Sequence, residues 1–231
     1  MDDKKNAKHC GACLTNLPMF NSLTADQFEL INQVRCKVKF RPGEIIFKQG
    51  TALTHVIVLN EGLLKIYLEG IDNRNLILRF ARPLTIIGGP GVFTDYKNHL
   101  TTMAVEESSA CFIDVKTITD LVVQNKDFAI DLLKWVNTHT LANYIKFVEL
   151  TQKGMHGRIA GALLYLYNEV FNKSNGEIII KRQDLADLTA MSKESAIRII
   201  KELKDENIIT VDGNIIRLNN IENLTNISMR G

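Results

Sequence analysis

Residues 182–218, RQDLADLTAMSKESAIRIIKELKDENIITVDGNIIRL, decide the fold of the C-terminal part of this 231-residue chain. Apolar residues at helical spacing predict two helices, over 183–189 and 192–207, that lie three residues apart. Two short apolar strands, 208–211 and 214–218, then surround an Asp-Gly pair, which is a strong hairpin signal. Two helices joined by a short turn and followed by a hairpin predict a winged helix-turn-helix, whose second helix enters the major groove of DNA.

The packing of these two helices requires small and apolar side chains at particular positions. Ala186 and Ala190 are expected where the helices approach each other, and Ser192 is expected to cap the second helix. The predicted apolar core of the motif consists of Leu185, Leu188, Ile197, Ile200 and Leu203.

The outward face of the second helix carries side chains suited to DNA. Arginine binds O6 and N7 of guanine, glutamate accepts from N4 of cytosine, and lysine or serine reaches a base or a phosphate. The predicted DNA-contacting residues are Arg182, Lys193, Glu194, Ser195, Arg198 and Lys201. The alternative is that Glu194 and Arg198, which lie four residues apart in the favourable order, form an ordinary surface ion pair.

A long helix is predicted to begin near Lys126 and to continue for about two dozen residues without glycine or proline. A seam at spacings of three and four residues runs along it and consists of Leu133, Val136, Thr140, Asn143, Phe147 and Leu150. Such a seam suits a two-stranded coiled coil in which polar residues fix the register, so we predict a homodimer. The alternative is that the helix packs on its own chain through Leu141, Ile145 and Val148. Both can hold, because a helix of this length has two faces to cover.

Short strands separated by turn residues precede the long helix. Residues 34–40 alternate between apolar and basic side chains, which predicts a half-buried strand with Cys36 directed into the core. A helix before this strand is predicted to begin with a capping box formed by Thr24 and Gln27. Further strands are predicted over 45–47, 56–59, 63–68, 76–80 and 110–115. Regular short strands with turn residues between them predict a small antiparallel barrel or roll.

The sequence therefore predicts an α+β protein in three parts. An N-terminal arm and a jelly-roll-like antiparallel β-roll occupy 1–125, a dimerisation helix occupies 126–153, and a winged helix-turn-helix occupies 154–231. Gly154 and Gly157 interrupt the helical pattern and indicate a hinge at the second boundary.

Composition and charge exclude several classes of protein. The 28 Lys and Arg residues oppose 26 Asp and Glu residues, a formal net charge of +2, so bulk charge indicates neither a nucleic acid nor a membrane. No apolar run approaches the ~20 residues of a spanning helix, and the polar N-terminus is not typical of a signal peptide. Four cysteines are too few for a disulfide framework in a chain of this length, so the cytoplasm is the expected location.

Three segments together resemble one protein family. They are His156-Gly157-Arg158-Ile159-Ala160, Arg182-Gln183-Asp184-Leu185-Ala186 and Ser192-Lys193-Glu194-Ser195-Ala196-Ile197-Arg198. With the roll and the long helix, they resemble the cyclic-AMP receptor protein and FNR family of bacterial transcription regulators over nearly the whole chain. The resemblance implies a dimeric regulator, not an enzyme, that binds a palindromic operator, with Glu194 and Arg198 contacting a G·C-containing core in each half-site. Double-stranded DNA is the expected partner, and RNA polymerase is a further one.

The effector positions depart from the family pattern. Cyclic-nucleotide binders of the family carry a Phe-Gly-Glu-Leu motif, whose glutamate holds the ribose, and an Arg-Ser pair, whose arginine neutralises the phosphate. This chain has Ile87-Gly88-Gly89-Pro90 and Leu100-Thr101 at these places. Without the two charged side chains the phosphate would be desolvated with no opposing cation, so cyclic AMP is not the expected effector.

Three cysteines resemble ligands of the iron–sulfur cluster in FNR-type oxygen sensors. Cys10 and Cys13, in His9-Cys10-Gly11-Ala12-Cys13, match the start of that cysteine group, and Cys111 is similar to its distant member. The third N-terminal ligand is absent, and Met19 falls near its place, although a thioether is not a usual cluster ligand. The alternatives are an iron–sulfur cluster, thiol redox chemistry of Cys10 and Cys13, another buried ligand, and no effector.

Interpretations from other classes compete with DNA binding. A ligand-gated or redox-gated protein-interaction module, whose C-terminal domain contacts protein instead of DNA, fits the same fold. A cupin-type metalloenzyme would need clustered histidines on the strands, whereas His55 and His99 stand alone. We therefore expect no enzymatic activity.

Overall fold

The computed structural model describes residues 17–171 and 176–231. It contains an antiparallel β-roll, a long helix and a winged helix-turn-helix, so the predicted α+β fold class is confirmed. Two compact units form, one from residues up to 68 with 80–141, the other from 69–79 with 142–231. The domain boundaries at residues 125 and 153 stay a prediction. Within the described ranges, no helix is both long and apolar enough to cross a bilayer.

The roll consists of two antiparallel four-stranded sheets in the described part of the chain. Its strands are β1 (Cys36–Phe40), β2 (Ile45–Phe47), β3 (His55–Glu61), β4 (Leu64–Glu69), β5 (Asn75–Ala81), β6 (Ile86–Ile87), β7 (Thr101–Ala104) and β8 (Ser108–Asp114). The strand order is β1-β8-β3-β6 in one sheet and β2-β7-β4-β5 in the other. The sequence does not predict β6 and β7, because β6 has two residues and β7 begins with two buried threonines.

Strand β3 lies inside its sheet, between β8 and β6, and is buried on both faces. Ile57 and Leu59 belong to the apolar cluster inside the roll. Val56 and Val58 belong to a second cluster, between the sheet and a layer of helices. A strand covered on both faces is expected to be a continuous apolar run, which is what this segment shows.

The helix α1 (Ala25–Val34) forms part of that layer and begins as predicted. Thr24 Oγ1 accepts from the Gln27 backbone N–H at 3.3 Å, and Gln27 Oε1 accepts from the Thr24 backbone N–H at 3.1 Å. The capping box therefore pairs two backbone donors that the helix itself leaves unpaired.

A second helix of the layer, α2 (Val115–Gln124), is capped by Asp114, which accepts from the Thr117 N–H. The sequence does not predict α2, because the alternating strand pattern of β8 continues into its first residue. The long helix α3 (Lys126–Gln152) follows directly. Its Phe128 is fully buried under the layer and stacks on Phe20, with ring centroids 5.9 Å apart. This contact ties the start of α3 to the roll.

The expectation that Cys36 points into the core is wrong. Cys36 begins β1, which lies at the edge of its sheet beside β8 among the described strands, and its thiol is exposed. Val38 and Phe40, on the same face, are half-buried. The alternation in the sequence correctly identifies the inward face of β1. It does not show at which residue of an edge strand other elements begin to cover that face.

The second unit contains the winged helix-turn-helix. Its elements are α4 (Met155–Tyr165), continued by a π-helical turn (Leu166–Val170), β9 (Glu177–Ile179), α5 (Arg182–Thr189), α6 (Lys193–Asp205), β10 (Ile209–Asp212), β11 (Ile215–Leu218) and α7 (Ile221–Arg230). The three strands form an antiparallel sheet in the order β10-β11-β9. The predicted helices and hairpin are thereby confirmed. Helix α7, which packs on α4, is not predicted from the sequence.

The two glycines at the expected hinge have different roles. Gly154 lies between α3 and α4 and is the residue before the first turn of α4, so the chain does break there. Gly157 lies inside α4, where an added Cβ would stand 2.8 Å from the Cα of Gly231. Gly157 is thus explained by the close approach of α7 rather than by flexibility.

Within this unit, Lys146 of α3 fastens the helix-turn-helix. Its Nζ donates to the backbone carbonyl of Leu188, near the end of α5, at 3.0 Å. Burial lowers the pKa of the Lys146 ammonium to about 8. The contact pairs a carbonyl in the last turn of α5 with a cation, which also suits the helix dipole.

The lowered pKa makes stability depend on pH in a defined direction. Between pH 8 and 10.5 the unfolded chain keeps the Lys146 proton and the folded chain has lost it, so stability rises with pH in that window. We expect the free energy of unfolding of wild type, relative to Lys146→Met, to rise by up to about 1.4 kcal/mol per pH unit there. Urea unfolding followed by circular dichroism measures this difference, and parallel pH profiles for the two proteins would contradict it.

Candidate nucleic-acid interface

The turn between α5 and α6 sets the angle at which the second helix is presented. Ala186 is fully buried where the helices meet, as predicted. Ala190 is exposed, and its φ of +53° places it in the left-handed region. The expectation that Ala190 lies between the helices is therefore wrong, and its backbone conformation is one that residues with a Cβ seldom adopt.

The core beneath the two helices differs from the prediction at one position. Leu185, Leu188, Ile200 and Leu203 are buried. Ile197 is 44% exposed, and Ile199 is fully buried instead. Ile197 lies three residues after Glu194 and one before Arg198. It therefore shares the outward side of the helix with them and does not face the core.

The outward side of α6 is a stripe of four side chains. Glu194, Ile197, Arg198 and Lys201 occupy positions i, i+3, i+4 and i+7, and all four are exposed. An exposed isoleucine between charged side chains offers an apolar contact to the methyl group of thymine. Ile197 is not identified from the sequence as a contact residue, because the apolar repeat of α6 assigns it to the core.

The first turn of α6 is organised by its cap. The Ser192 hydroxyl accepts from the Ser195 backbone N–H at 3.1 Å and lies 3.0 Å from the Ser195 hydroxyl. Lys193 is exposed beside them, whereas Ser195 is half-buried. Of these predicted contact residues, Lys193 is the more accessible to a phosphate.

Arg182, at the start of α5, is directed to the wing. Its Nη2 donates to the carbonyl of Gly213, in the β10–β11 turn, at 2.7 Å. Partial burial lowers the pKa of its guanidinium below the ordinary arginine value. Arg182 thus holds the tip of the wing against α5, and its long side chain is half-buried there.

Arg198 pairs with a different acid from the one expected. Its Nη1 donates to Glu202 Oε1 at 2.9 Å, and Glu202 Oε2 lies 2.6 Å from Nε2 of His156. The contacts with His156 and Arg198 hold the pKa of the Glu202 carboxyl below its ordinary value. Glu194, four residues before Arg198, is exposed, so the Glu194–Arg198 surface pair is not the arrangement found.

The long helix α3 presents an apolar outer face. Of the predicted seam, Leu133, Val136 and Phe147 are exposed, whereas Thr140, Asn143 and Leu150 are half-buried within the chain. The alternative that Leu141, Ile145 and Val148 pack on their own chain is wrong, because they are 61%, 64% and 50% exposed. Besides Leu133, Val136 and Phe147, the exposed large apolar side chains of α3 are Ile130, Leu141, Tyr144, Ile145 and Val148. The exposed apolar face of α3 is therefore broader than the predicted seam.

The predicted effector positions lie in the roll. Leu100 packs against the apolar cluster inside the roll, at the place of the family's phosphate-binding arginine. Gly89, at the place of the ribose-binding glutamate, has a φ of +70°, a conformation that L side chains rarely adopt. The position of the family's arginine is thus in an apolar environment in this chain, and the position of the family's glutamate is a glycine.

The three predicted cluster ligands fall in two places. Cys10 and Cys13 lie outside the described residues. Cys111 is fully buried in β8, where its Sγ accepts from Asn60 Nδ2 at 3.2 Å. Met19 is a buried core residue. The described ranges contain no group of three or more His, Cys, Asp or Glu side chains placed to hold a metal ion, so they do not by themselves supply a cluster site.

The chain is similar to known proteins over most of its length. A family model described as a cyclic nucleotide-binding domain matches residues 37–125, and one described as a Crp-like helix-turn-helix domain matches residues 157–227. The chain is 25% identical to an anaerobic regulatory protein of Bacillus subtilis over 195 residues, 82% of each chain. It is 20% identical to the transcriptional activator protein Anr of Pseudomonas protegens, over 92% of this chain and 89% of that protein. The solved structure of FixK2 from Bradyrhizobium japonicum covers 84% of this chain and 97% of its own, with a TM-score of 0.74 and 19% identity, and so shares its fold.

The contact of Arg182 with Gly213 predicts a role in positioning the wing. We expect Arg182→Ala to free the β10–β11 turn, so that its backbone amides exchange hydrogen faster, while amides in the middle of α6 keep their protection. Hydrogen exchange followed by mass spectrometry measures both segments. Lys181→Ala removes the same charge from the neighbouring exposed position and serves as the control. Unchanged exchange of the turn in Arg182→Ala would show that the contact does not hold the wing.

Proposed function

Since the chain belongs to the family of bacterial transcription regulators that includes the cyclic-AMP receptor protein and FNR, we propose that it binds a palindromic operator as a homodimer and that its effector is not cyclic AMP. Family membership makes it a DNA-binding transcription regulator, like the relatives it resembles. The observation that carries the finer proposal is the exposed stripe on α6. RNA polymerase is proposed as a further partner, since a regulator bound at an operator acts on transcription.

The α6 stripe suits both parts of DNA recognition. Arg198 and Glu194 have the hydrogen-bonding groups that distinguish guanine and cytosine in the major groove, and Ile197 has the apolar surface that suits a thymine methyl group. Lys193 and Lys201 lie on the same exposed side and supply cations for phosphates. We propose this set as the DNA-contacting surface, with Ser195 and Arg182 acting mainly through the helix cap and the wing.

The base-contacting and phosphate-contacting roles predict different mutant behaviour. We expect Arg198→Ala to cost roughly 1 to 3 kcal/mol of specific binding and to relax the preference at one base pair. Lys201→Ala should weaken binding to all duplexes alike and lower the salt slope by about one unit. Fluorescence anisotropy on cognate and random duplexes at several salt concentrations separates the two. Equal losses on both duplexes for Arg198→Ala would contradict a base-contacting role and favour the protein-interaction alternative.

The proposed homodimer uses the outer face of α3. Exposed apolar side chains at coiled-coil spacing are costly to leave in water, and a second copy of the same helix buries them symmetrically. A two-fold axis along the helix pair would present two copies of α6 about one DNA turn apart, ~34 Å, which is why a palindromic operator is proposed.

The dimer proposal is tested by placing a charge on this face. We expect Leu133→Asp and Ile145→Asp each to give monomers in sedimentation velocity at micromolar concentration, because an unpaired carboxylate would be buried at the interface. Val123→Asp, which places the same charge at an 83% exposed apolar position of α2, outside this face, is the control and should stay dimeric. A dimer that persists in both aspartate variants would place the contact elsewhere.

The proposal that cyclic AMP is not the effector rests on Leu100 and Gly89. A cyclic phosphate bound in the roll would meet an apolar side chain where charge neutralisation is needed. We expect millimolar cyclic AMP to leave the operator Kd unchanged in anisotropy titrations. A decrease of about tenfold or more would overturn this part of the proposal.

An iron–sulfur cluster stays a prediction for the effector. Cys111 alternates with Ile113 on β8, and Ile113 faces the cluster that Leu17, Met19 and Phe20 join. Leu17, Met19 and Phe20 therefore pack on the face of the sheet to which Cys111 belongs. The visible spectrum, iron and sulfide content of protein purified without oxygen decide between a cluster and the alternatives of thiol chemistry, another ligand, or none.

A further inference from the structure

Glu202, one helical turn after Arg198 on α6, contacts two side chains at once. Its Oε1 accepts from Nη1 of Arg198 at 2.9 Å, and its Oε2 lies 2.6 Å from Nε2 of His156. His156 comes from the first turn of α4, so the carboxylate links two helices. All three side chains remain partly exposed, on the side of α6 that carries the DNA-contacting stripe.

We propose that Glu202 is a positioning residue for Arg198: the carboxylate, held by His156, fixes one end of the guanidinium so that its remaining donors are directed to a base. This inference rests on the proposed function, in which Arg198 contacts a base edge. Glu202 itself touches no base and acts only through Arg198.

The donor count of arginine makes this arrangement compatible with DNA binding. A guanidinium has five N–H donors in a rigid planar fork. The Glu202 contact uses Nη1, which leaves the edge formed by Nε and Nη2 to pair with O6 and N7 of guanine. A side chain that is already restrained before DNA arrives loses less conformational freedom on binding, which favours the base that fits the restrained geometry.

His156 explains why the carboxylate stays in place. A glutamate on an exposed helix surface otherwise exchanges between rotamers. An imidazole donates from Nε2 both as the neutral tautomer with its proton on Nε2 and as the cation, so this contact does not require a charged histidine. Because His156 belongs to another helix, it sets the position of Glu202 relative to the body of the unit as well as relative to α6.

An ordinary surface ion pair is a poorer explanation of the same contacts. An arginine that precedes its acid by four residues is in the less favourable order for stabilising a helix, and exposed pairs contribute little to stability. Glu194 stands four residues before Arg198 in the better order, yet Arg198 pairs with Glu202. A pair that served only stability would also leave sequence preference unchanged, so the two explanations predict different results.

The experiment measures sequence preference, using full-length protein. In vitro selection from a random duplex library with wild type yields an operator, and Arg198→Ala identifies the base pair whose preference depends on Arg198. Anisotropy then gives two Kd values, one for the operator and one for the duplex changed at that base pair. The ratio of the second Kd to the first measures the sequence preference. The variants are Glu202→Ala, Glu202→Gln and His156→Ala, each also combined with Arg198→Ala. Asp205→Asn, which removes one acidic charge from an exposed position of the same helix, is the control.

We expect Glu202→Ala to lower the ratio about fivefold. Glu202→Gln, which keeps an acceptor oxygen, should lose less, His156→Ala should lie between wild type and Glu202→Ala, and Asp205→Asn should keep the wild-type ratio. In the Arg198→Ala background, Glu202→Ala should change the ratio no further, because the positioned side chain is gone.

Two results would overturn the proposal. One is a Kd ratio for Glu202→Ala within about twofold of the wild-type ratio. This result would mean that the pair of Glu202 and Arg198 is purely structural, even if thermal unfolding shows a loss of stability. The other is an equal drop with and without Arg198. Failure of the proposed function looks different, because the selection with wild-type protein would then yield no preferred sequence at all.

Discussion

The pairing of β3 with β8, in a sheet buried on both faces, is the constraint on which the rest of the first unit depends. One face of β3 supplies Ile57 and Leu59 to the interior of the roll, and the other supplies Val56 and Val58 to the helical layer. A shift of register by one residue would exchange these two sets and leave both clusters without their partners. The position of α3 follows from the same constraint, because Phe128 is buried in the cluster that Val56 and Val58 help to form.

Local signals in the sequence predict the elements whose causes are local. The capping box at Thr24, the Asp-Gly hairpin and the cap at Ser192 each depend on residues within a few positions, and the structure contains all three. The elements that were not predicted depend on distant residues. Strand β6 has two residues and exists because β3 offers it a partner, and α7 exists on the surface that Gly157 leaves open on α4.

The same distinction between local and distant causes applies to the candidate site. The residue types on α6 predict a DNA-contacting helix, but their partners are set by tertiary contacts. Arg182 is directed to Gly213 because the wing folds back toward α5, and Arg198 meets Glu202 and His156 because α4 lies beside α6. Ile197 and Ile199 have the same side chain, and only the phase of the helix against its core makes one exposed and the other buried. For a chain with a net charge of +2, affinity for DNA is therefore a matter of where the charges stand.

The left-handed backbone of Ala190 bears on how this protein could be engineered. A residue with a Cβ pays a steric penalty on the order of 1 kcal/mol in this region that glycine does not. The turn between α5 and α6 therefore carries a small backbone strain that a residue without a Cβ would not have. Replacing Ala190 with glycine would remove this strain without changing the α6 stripe, since Ala190 is exposed and lies outside it, while the greater freedom of glycine in the unfolded chain would offset part of the gain in stability.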